Sequence, residues 1–280
     1  MKIAISAESA IDMPEDMLEK FDIKTTPLWV NMGGEMIPDE QGLSYKIFDY
    51  VNKSGTLPKT AGASPEQFRE HFENLLKDYD AVIHVSISSG LSSTYNNACS
   101  IAKEMKNVYV IDSKTLSTGI ALVAIYARNL ANKGFNAEEV YNTTLNKVEE
   151  VQVHFILEKL NYLYKGGRCS ALALFGANIL KIKPRISLKN GKMIVTKKYR
   201  GDLTKVIAKY ADEYLAEFPN PDTDMVFLTS SSQMEEARVI LREKLKAKGF
   251  KNIYETLAGG SISCHCGENC LGILFFSKNP

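Results

Sequence analysis

Between residues 2 and 133 the sequence alternates short apolar runs of strand length with longer amphipathic runs of helix length, and this alternation constrains the fold most. Strands are expected at Lys2–Ser6, Thr25–Asn31, Ala81–Ser86 and Val108–Asp112. Helices are expected at Pro14–Phe21, at Ser44–Lys53 behind a serine cap, from Ser64-Pro65-Glu66-Gln67 onward, from the serine-rich loop to Met105, and over Leu116–Lys133. Ser64 with proline at the first helical position and glutamine three residues on is a helix-start signature. Strands separated by helices of this length predict right-handed βαβ units and a parallel sheet flanked by helices. Ligands in such sheets sit at the carboxyl ends of the strands, where Asp112 and the loop Ser88-Ser89-Gly90-Leu91-Ser92-Ser93-Thr94 both fall.

The second half has a different pattern. A strand at Val151–Ile156 leads to a helix stopping at Gly166-Gly167, and Pro184–Leu188 and Met193–Lys198 flank Lys189-Asn190-Gly191. Asn-Gly between two such runs predicts a tight hairpin. Amphipathic helices at Leu203–Phe218 and Gln233–Lys248 bracket a strand at Asp224–Thr229, and the chain closes on a strand at Leu271–Phe276. A chain of 280 residues accommodates two domains. The expected fold is therefore α/β with two α/β domains: residues 1–150 carry the ligand loops on a parallel sheet, and residues 151–280 form a mixed α/β domain.

Composition excludes several functions. Lys plus Arg number 34 against 33 Asp plus Glu, so no basic excess marks a nucleic-acid binder. The most apolar stretch, Gly119–Ala127, is far shorter than the ~20 residues that span a bilayer. The amino terminus lacks the pattern of a signal peptide. Five cysteines, an odd number, suit a reducing cytoplasm better than a disulfide framework. A cytoplasmic protein without a transmembrane segment is the expectation.

The serine loop is the most informative local feature. A strand, a glycine-containing turn and a helix start bring hydroxyls and unpaired N–H groups together, an arrangement that favours anions. Ser92 and Ser93 are the candidate donors, and simple helix capping is the alternative reading. Gly90-Leu91-Ser92-Ser93-Thr94 also approaches the G-x-S-x-G nucleophile elbow, with His265 as the candidate base. Thr60, in the loop before the Ser64 helix, can face Ser92 across the strand ends. Arg168 and Arg200, each next to glycine, are candidate anion partners or plain surface residues. In Cys264-His265-Cys266-Gly267-Glu268-Asn269-Cys270 the ligand-type residues are crowded. They lack the separated pairs of a structural zinc site. Read as a strand, the segment places Cys264 and Cys266 on one face and His265 on the other. No metal is expected there.

Several ordered motifs run together along the chain. Lys2-Ile3-Ala4-Ile5 with Glu8-Ser9 and Asp12-Met13-Pro14 is similar to D-S-T-A-D-L-P, and Thr60–Ser64 to T-S-Q-P-S. Ile87–Ala98 is similar to I-S-S-x-L-S-G-T-Y-Q-S-A, and Val110–Lys114 to V-I-D-S-K. Tyr162–Ser170 is similar to Y-L-K-K-G-G-R-I-S, followed by the I-K-P of Ile182–Pro184. In this order they resemble the DegV family, bacterial fatty-acid-binding proteins, over essentially the whole chain. The chain departs from the motifs at Glu8, at Ala61-Gly62-Ala63, at Ser93 and from Cys266 to Cys270.

The resemblance implies two α/β domains with an elongated apolar tunnel. A long-chain fatty acid such as palmitate would be held there by its carboxylate, on Thr60, the Ser92 hydroxyl and the Ser93 amide. It further implies His265 beside the head group, Arg168 in support, and Arg200 near a surface that meets a separate fatty-acid kinase subunit. On this reading the protein is a carrier without catalysis of its own and without a cofactor other than the bound acid. The alternatives are a Ser92-dependent hydrolase of acyl esters and a metal or redox module at residues 264–270.

Overall fold

The computed structural model describes residues 1–40, 42–169 and 182–278, so Ser170, the last residue of one motif, lies outside the described residues. The first half runs β1 (Ile3–Glu8), α1 (Glu15–Lys20), β2 (Ile23–Thr26), β3 (Trp29–Met32), β4 (Glu35–Pro38), α2 (Leu43–Ser54) and β5 (Lys59–Ala61). It continues through α3 (Pro65–Leu76), β6 (Ala81–Ser86), α4 (Thr94–Ala102), β7 (Val108–Asp112), α5 (Thr118–Asn132) and α6 (Ala137–Val148). Four strands pair in parallel in the order β2-β1-β6-β7, as the alternation predicts. Every residue of β1 and β6 is buried, as in a parallel sheet covered on both faces.

The single strand expected over Thr25–Asn31 is two. Pro27 has no N–H for a ladder; the chain leaves the parallel sheet there, and β3 joins a small antiparallel sheet of order β4-β3-β5. Gln67 secures the break, its side chain donating to Thr26 Oγ1 and Pro27 O and accepting from Trp29 Nε1. Ser64 caps α3 by accepting from the Gln67 amide at 3.2 Å. Ser44 does not cap α2. That helix starts at Leu43 behind Gly42, and Ser44 is buried inside the first turn. The helix α6, absent from the expectation, opens on a capping box between Asn136 and Glu139.

The second half runs β8 (Val151–Ile156), α7 (Asn161–Lys165), β9 (Lys183–Lys189), β10 (Lys192–Tyr199), α8 (Leu203–Glu217), β11 (Met225–Ser230), α9 (Glu235–Lys248), β12 (Asn252–Leu257), α10 (Gly260–Cys266) and β13 (Leu271–Phe276). Its strands form one mixed sheet in the order β10-β9-β8-β13-β11-β12, with β11 and β12 parallel and the other neighbours antiparallel. Asn190 and Gly191 turn the β9–β10 hairpin with φ of 50° and 74°, the positive values a two-residue turn requires. The strand geometry expected at Cys264–Cys266 is incorrect: these residues belong to α10, where successive side chains fan by about 100°. Cys264 accordingly packs with Val30, Ile47 and Phe48, whereas Cys266 joins the main core.

Helix α5 holds the two large sheets together. From Thr118 to Ile125 every residue is buried, because the helix packs on β1 and β6 on one side and on β8, β11 and β13 on the other. A helix apolar on all sides needs cover on all sides. Its one cation, Arg128, donates to the carbonyls of Ile3 and Asp22 and pairs with the Asp22 carboxylate at 3.1 Å. Among the described residues no helix is long and apolar enough to cross a membrane. Ile120→Ala, which removes a fully buried side chain from this helix, is expected to lower stability in urea unfolding by about 2–5 kcal/mol. Val239→Ala, at a side chain 43% exposed, should stay within about 0.5 kcal/mol of the parent.

Candidate ligand-binding site

The serine loop leaves β6 at Ser86 and enters α4 at Thr94. Ser88 N donates to Thr115 O, and the amides of Leu91 and Ser92 both return to Ser88 O at 2.9 and 3.2 Å, which curls the loop into a tight turn. Ser89 donates its amide and hydroxyl to Asp112, so that acid at the end of β7 anchors the loop. Gly90 is required sterically: a Cβ there would stand 2.6 Å from Gly191 O, in the hairpin turn of the other sheet. Ser88 Oγ donates to the same carbonyl at 2.7 Å.

Ser92 Oγ accepts from the Thr94 amide at 3.3 Å, which ties it to the first residue of α4, and its hydroxyl meets no acceptor among the described residues. Ser93 stands at the N-cap position in helical geometry with no side-chain cap bond, and its amide meets no acceptor among the described residues. A hydroxyl and an open amide at the start of a helix are groups that can donate to an anion.

Thr60 reaches the same place from β5. Its Oγ1 is 2.9 Å from His265 Nε2, a contact between residues 205 positions apart. Burial, then the charge of Arg168, lowers the His265 pKa to about 4. The ring is therefore neutral at pH 7. His265 Nδ1 is buried without a hydrogen-bond partner among the described residues and abuts Gly166, where a Cβ would stand 2.4 Å away. Arg168 is exposed, donates to Gly166 O at 2.7 Å, and borders the cavity.

The position of His265 depends on two acids at the start of α10. Gly259 N donates to Asp12 at 2.8 Å and Gly260 N to Asp39 at 2.5 Å. Ser117 and Ser9 donate to the same carboxyls. Burial raises the pKa of both acids, that of Asp12 well above its ordinary value. A Cβ on Gly260 would lie 2.6 Å from Leu43 Cδ2, so glycine permits this close approach. Asp12 lay within a recognised motif, but Asp39 carried no sequence signal.

Thr60, Ser92, Ser93, Arg168 and His265 all border one cavity of about 320 Å³ between the two large sheets. Its remaining wall is mainly apolar, with Leu116, Val153, Phe155, Leu163, Met193 and Leu274. Those wall residues were not identified from the sequence, where they read as ordinary core. Arg200 is not brought to the cavity; it is exposed beyond the end of β10.

The competing chemistries find little support. Ser92 has no hydrogen bond to His265, whose Nε2 is engaged by Thr60 and whose Nδ1 has no acid to orient it among the described residues, so these residues do not assemble the relay of a triad. Glu268 pairs instead with Lys159 at 3.7 Å. Cys266 and Cys270 border the cavity. Burial pushes the Cys264 thiol up to about 12, and a hydrogen bond to Cys270, then burial, raises Cys266. Such thiols are poor nucleophiles. Among the described residues no three His, Cys, Asp or Glu side chains gather as a metal site.

Two large sheets, a shared central helix and one mainly apolar cavity with hydroxyl, amide and imidazole groups on its wall define an α/β protein with an internal cavity. The chain belongs to the DegV family: the family model, described as "Uncharacterised protein, DegV family", matches residues 2–278. It is 31% identical over 281 residues to a fatty acid-binding protein of Thermotoga maritima, covering 97% of this chain and 96% of the relative. A DegV family protein from Thermus thermophilus, described for its fatty acid binding, superposes with a TM-score of 0.91 at 26% identity, covering 99% of this chain and 100% of that one. DegV of Bacillus subtilis, described as a fatty acid binding protein, superposes at 0.85 with 27% identity, covering 99% and 100% of the two chains.

The His265 environment has a pH signature. Its folded pKa lies below the unfolded value of about 6.5, so in that window the unfolded chain binds more protons. The favourable contribution of the neutral ring is complete above about 6.5, declines as pH falls toward about 4, and changes no further below. An NMR titration of the His265 ring is expected to give a midpoint near 4, and His265→Gln should remove this part of the stability slope. Gly166→Ala should displace the ring from Thr60 and destabilise the fold by about 1–3 kcal/mol in chemical denaturation.

Proposed function

We propose that the protein binds a long-chain fatty acid such as palmitate in the cavity between its sheets. The carboxylate would lie on Thr60, the Ser92 hydroxyl and the Ser93 amide, with the chain running along the apolar wall as in a tunnel. The observation that carries this reading is the Ser92 hydroxyl and open Ser93 amide, neither with an acceptor among the described residues, on the wall of a mainly apolar cavity also reached by the Thr60–His265 pair. The relatives described as fatty-acid-binding proteins support the ligand class.

The two parts of such a ligand make separate demands. Each buried methylene contributes about 0.8 kcal/mol, so a chain of ~16 carbons contributes roughly 12 kcal/mol before the costs of association. The head group need only be hydrogen-bonded, since an unpaired buried carboxylate is costly. Affinity then comes mainly from the tail, and placement from the head.

The unassembled Ser92 relay supports a carrier rather than a hydrolase. In this reading the protein shields the tail in the cytoplasm and presents the carboxyl group to a separate fatty-acid kinase, with exposed Arg200 on the docking side. It needs no cofactor for this. Native mass spectrometry of protein from a bacterial host is expected to find a fatty-acid-sized adduct. Ser92→Ala should weaken palmitate binding roughly 10- to 100-fold, the range for a hydrogen bond to a charged group, and a fluorophosphonate probe should leave Ser92 unlabelled. A folded, empty protein that takes up no palmitate would overturn the proposal.

A further inference from the structure

The residue that forms the root of the serine loop is a completely buried acid. Glu8, the last residue of β1, is 0% exposed. Its Oε1 accepts from Ser86 Oγ at 2.6 Å, its Oε2 accepts from Ile87 N at 3.0 Å, and Oε1 lies 3.3 Å from His84 Nε2. His84 is held in turn by Ser6 Oγ at 2.8 Å and enclosed by Phe68 and Phe72.

A carboxylate in such a place is costly unless each oxygen is partnered, and an apolar side chain would fill the space without that cost. The acid does something an apolar residue cannot. The ladder between β1 and β6 ends at the Ala7–Val85 pair, and β6 itself ends at Ser86. The amide of Ile87 is thus the first on this edge without a ladder partner, and a buried amide must find one. Glu8 supplies it from its side chain, where the chain leaves the sheet. The next residue, Ser88, accepts the amide of Ser92 through its carbonyl.

We infer that Glu8 is a positioning residue for the anion site, fixing Ser86 and Ile87 so that the turn at Ser88 aims the Ser92 hydroxyl and Ser93 amide into the cavity. It acts through the loop and does not touch the ligand. The ligand half of this inference rests on the fatty-acid reading above; the hold on the loop does not.

The test uses the full chain in two arms, with Glu8→Gln and Ser86→Ala as variants. Phe72→Leu, behind His84 and away from the loop, is the control for general destabilisation. In the first arm, amide exchange of Ile87 to Ser93 is followed without ligand. It is expected to accelerate at least about tenfold in both variants and to stay at the parent rate in Phe72→Leu at matched thermal stability. In the second arm, palmitate labelled with ¹³C at the carboxyl is bound. Its bound resonance should move toward the free value and its affinity should fall about tenfold in the variants only. Parent-like exchange in both variants, or equal acceleration in the control, overturns the inference. Parent-like resonance and affinity despite faster exchange overturn the link to the ligand. A wild type that binds no palmitate overturns the fatty-acid reading, and the exchange arm still decides the role of Glu8.

Discussion

The site depends on the way a helix from the end of the chain hangs on carboxyl groups from its beginning. The first amides of α10 donate to Asp12 and Asp39, residues more than 200 positions away in sequence. That contact fixes where α10 begins, and with the close approaches at Gly166 and Gly260 it places His265 beside Thr60. Both acids are buried, and both pKa values are raised because the medium around them disfavours charge. The amide and hydroxyl donors lower this cost and leave a geometry with few alternatives.

The second constraint is the shared helix. Because α5 is buried throughout from Thr118 to Ile125, it serves one face of each large sheet at once, and the main hydrophobic cluster includes residues of both. The cavity lies in that joint. One wall is made of strand residues such as Val153, Phe155 and Leu274 from the mixed sheet, and another of the loop that leaves β6. The hairpin turn at Gly191 meets the serine loop at Ser88 and Gly90, so the two sheets also meet beside the polar groups.

Much of the architecture was legible in the residues. The spans Ala81–Ser86, Val108–Asp112, Val151–Ile156 and Leu271–Phe276 coincide with strands β6, β7, β8 and β13, because each is a bounded run of strand length rich in apolar residues. Asn190-Gly191 and Ser64-Pro65 carried backbone chemistry with few alternatives. The failures have physical causes. Thr25–Asn31 lost its continuity to Pro27, Ser44 was displaced as a cap by Gly42, and Cys264–Cys266 is a helix whose short glycine- and serine-rich sequence has no helical period. Ser92 was visible because a strand–turn–helix motif is local. The Thr60–His265 contact, the hold of Asp39 and the apolar wall are products of tertiary packing, and local sequence carries no record of them.

The central claim is that the anion receptor and the apolar wall serve a single amphiphilic molecule. The most direct measurement is a crystal structure of protein purified from a bacterial host. The account predicts elongated density between the two large sheets, with its two-oxygen end in hydrogen-bond reach of Thr60 Oγ1, Ser92 Oγ and Ser93 N and its tail against Phe155 and Leu274. A ligand whose polar end lies away from Ser92, or a cavity filled only by ordered water, would contradict it.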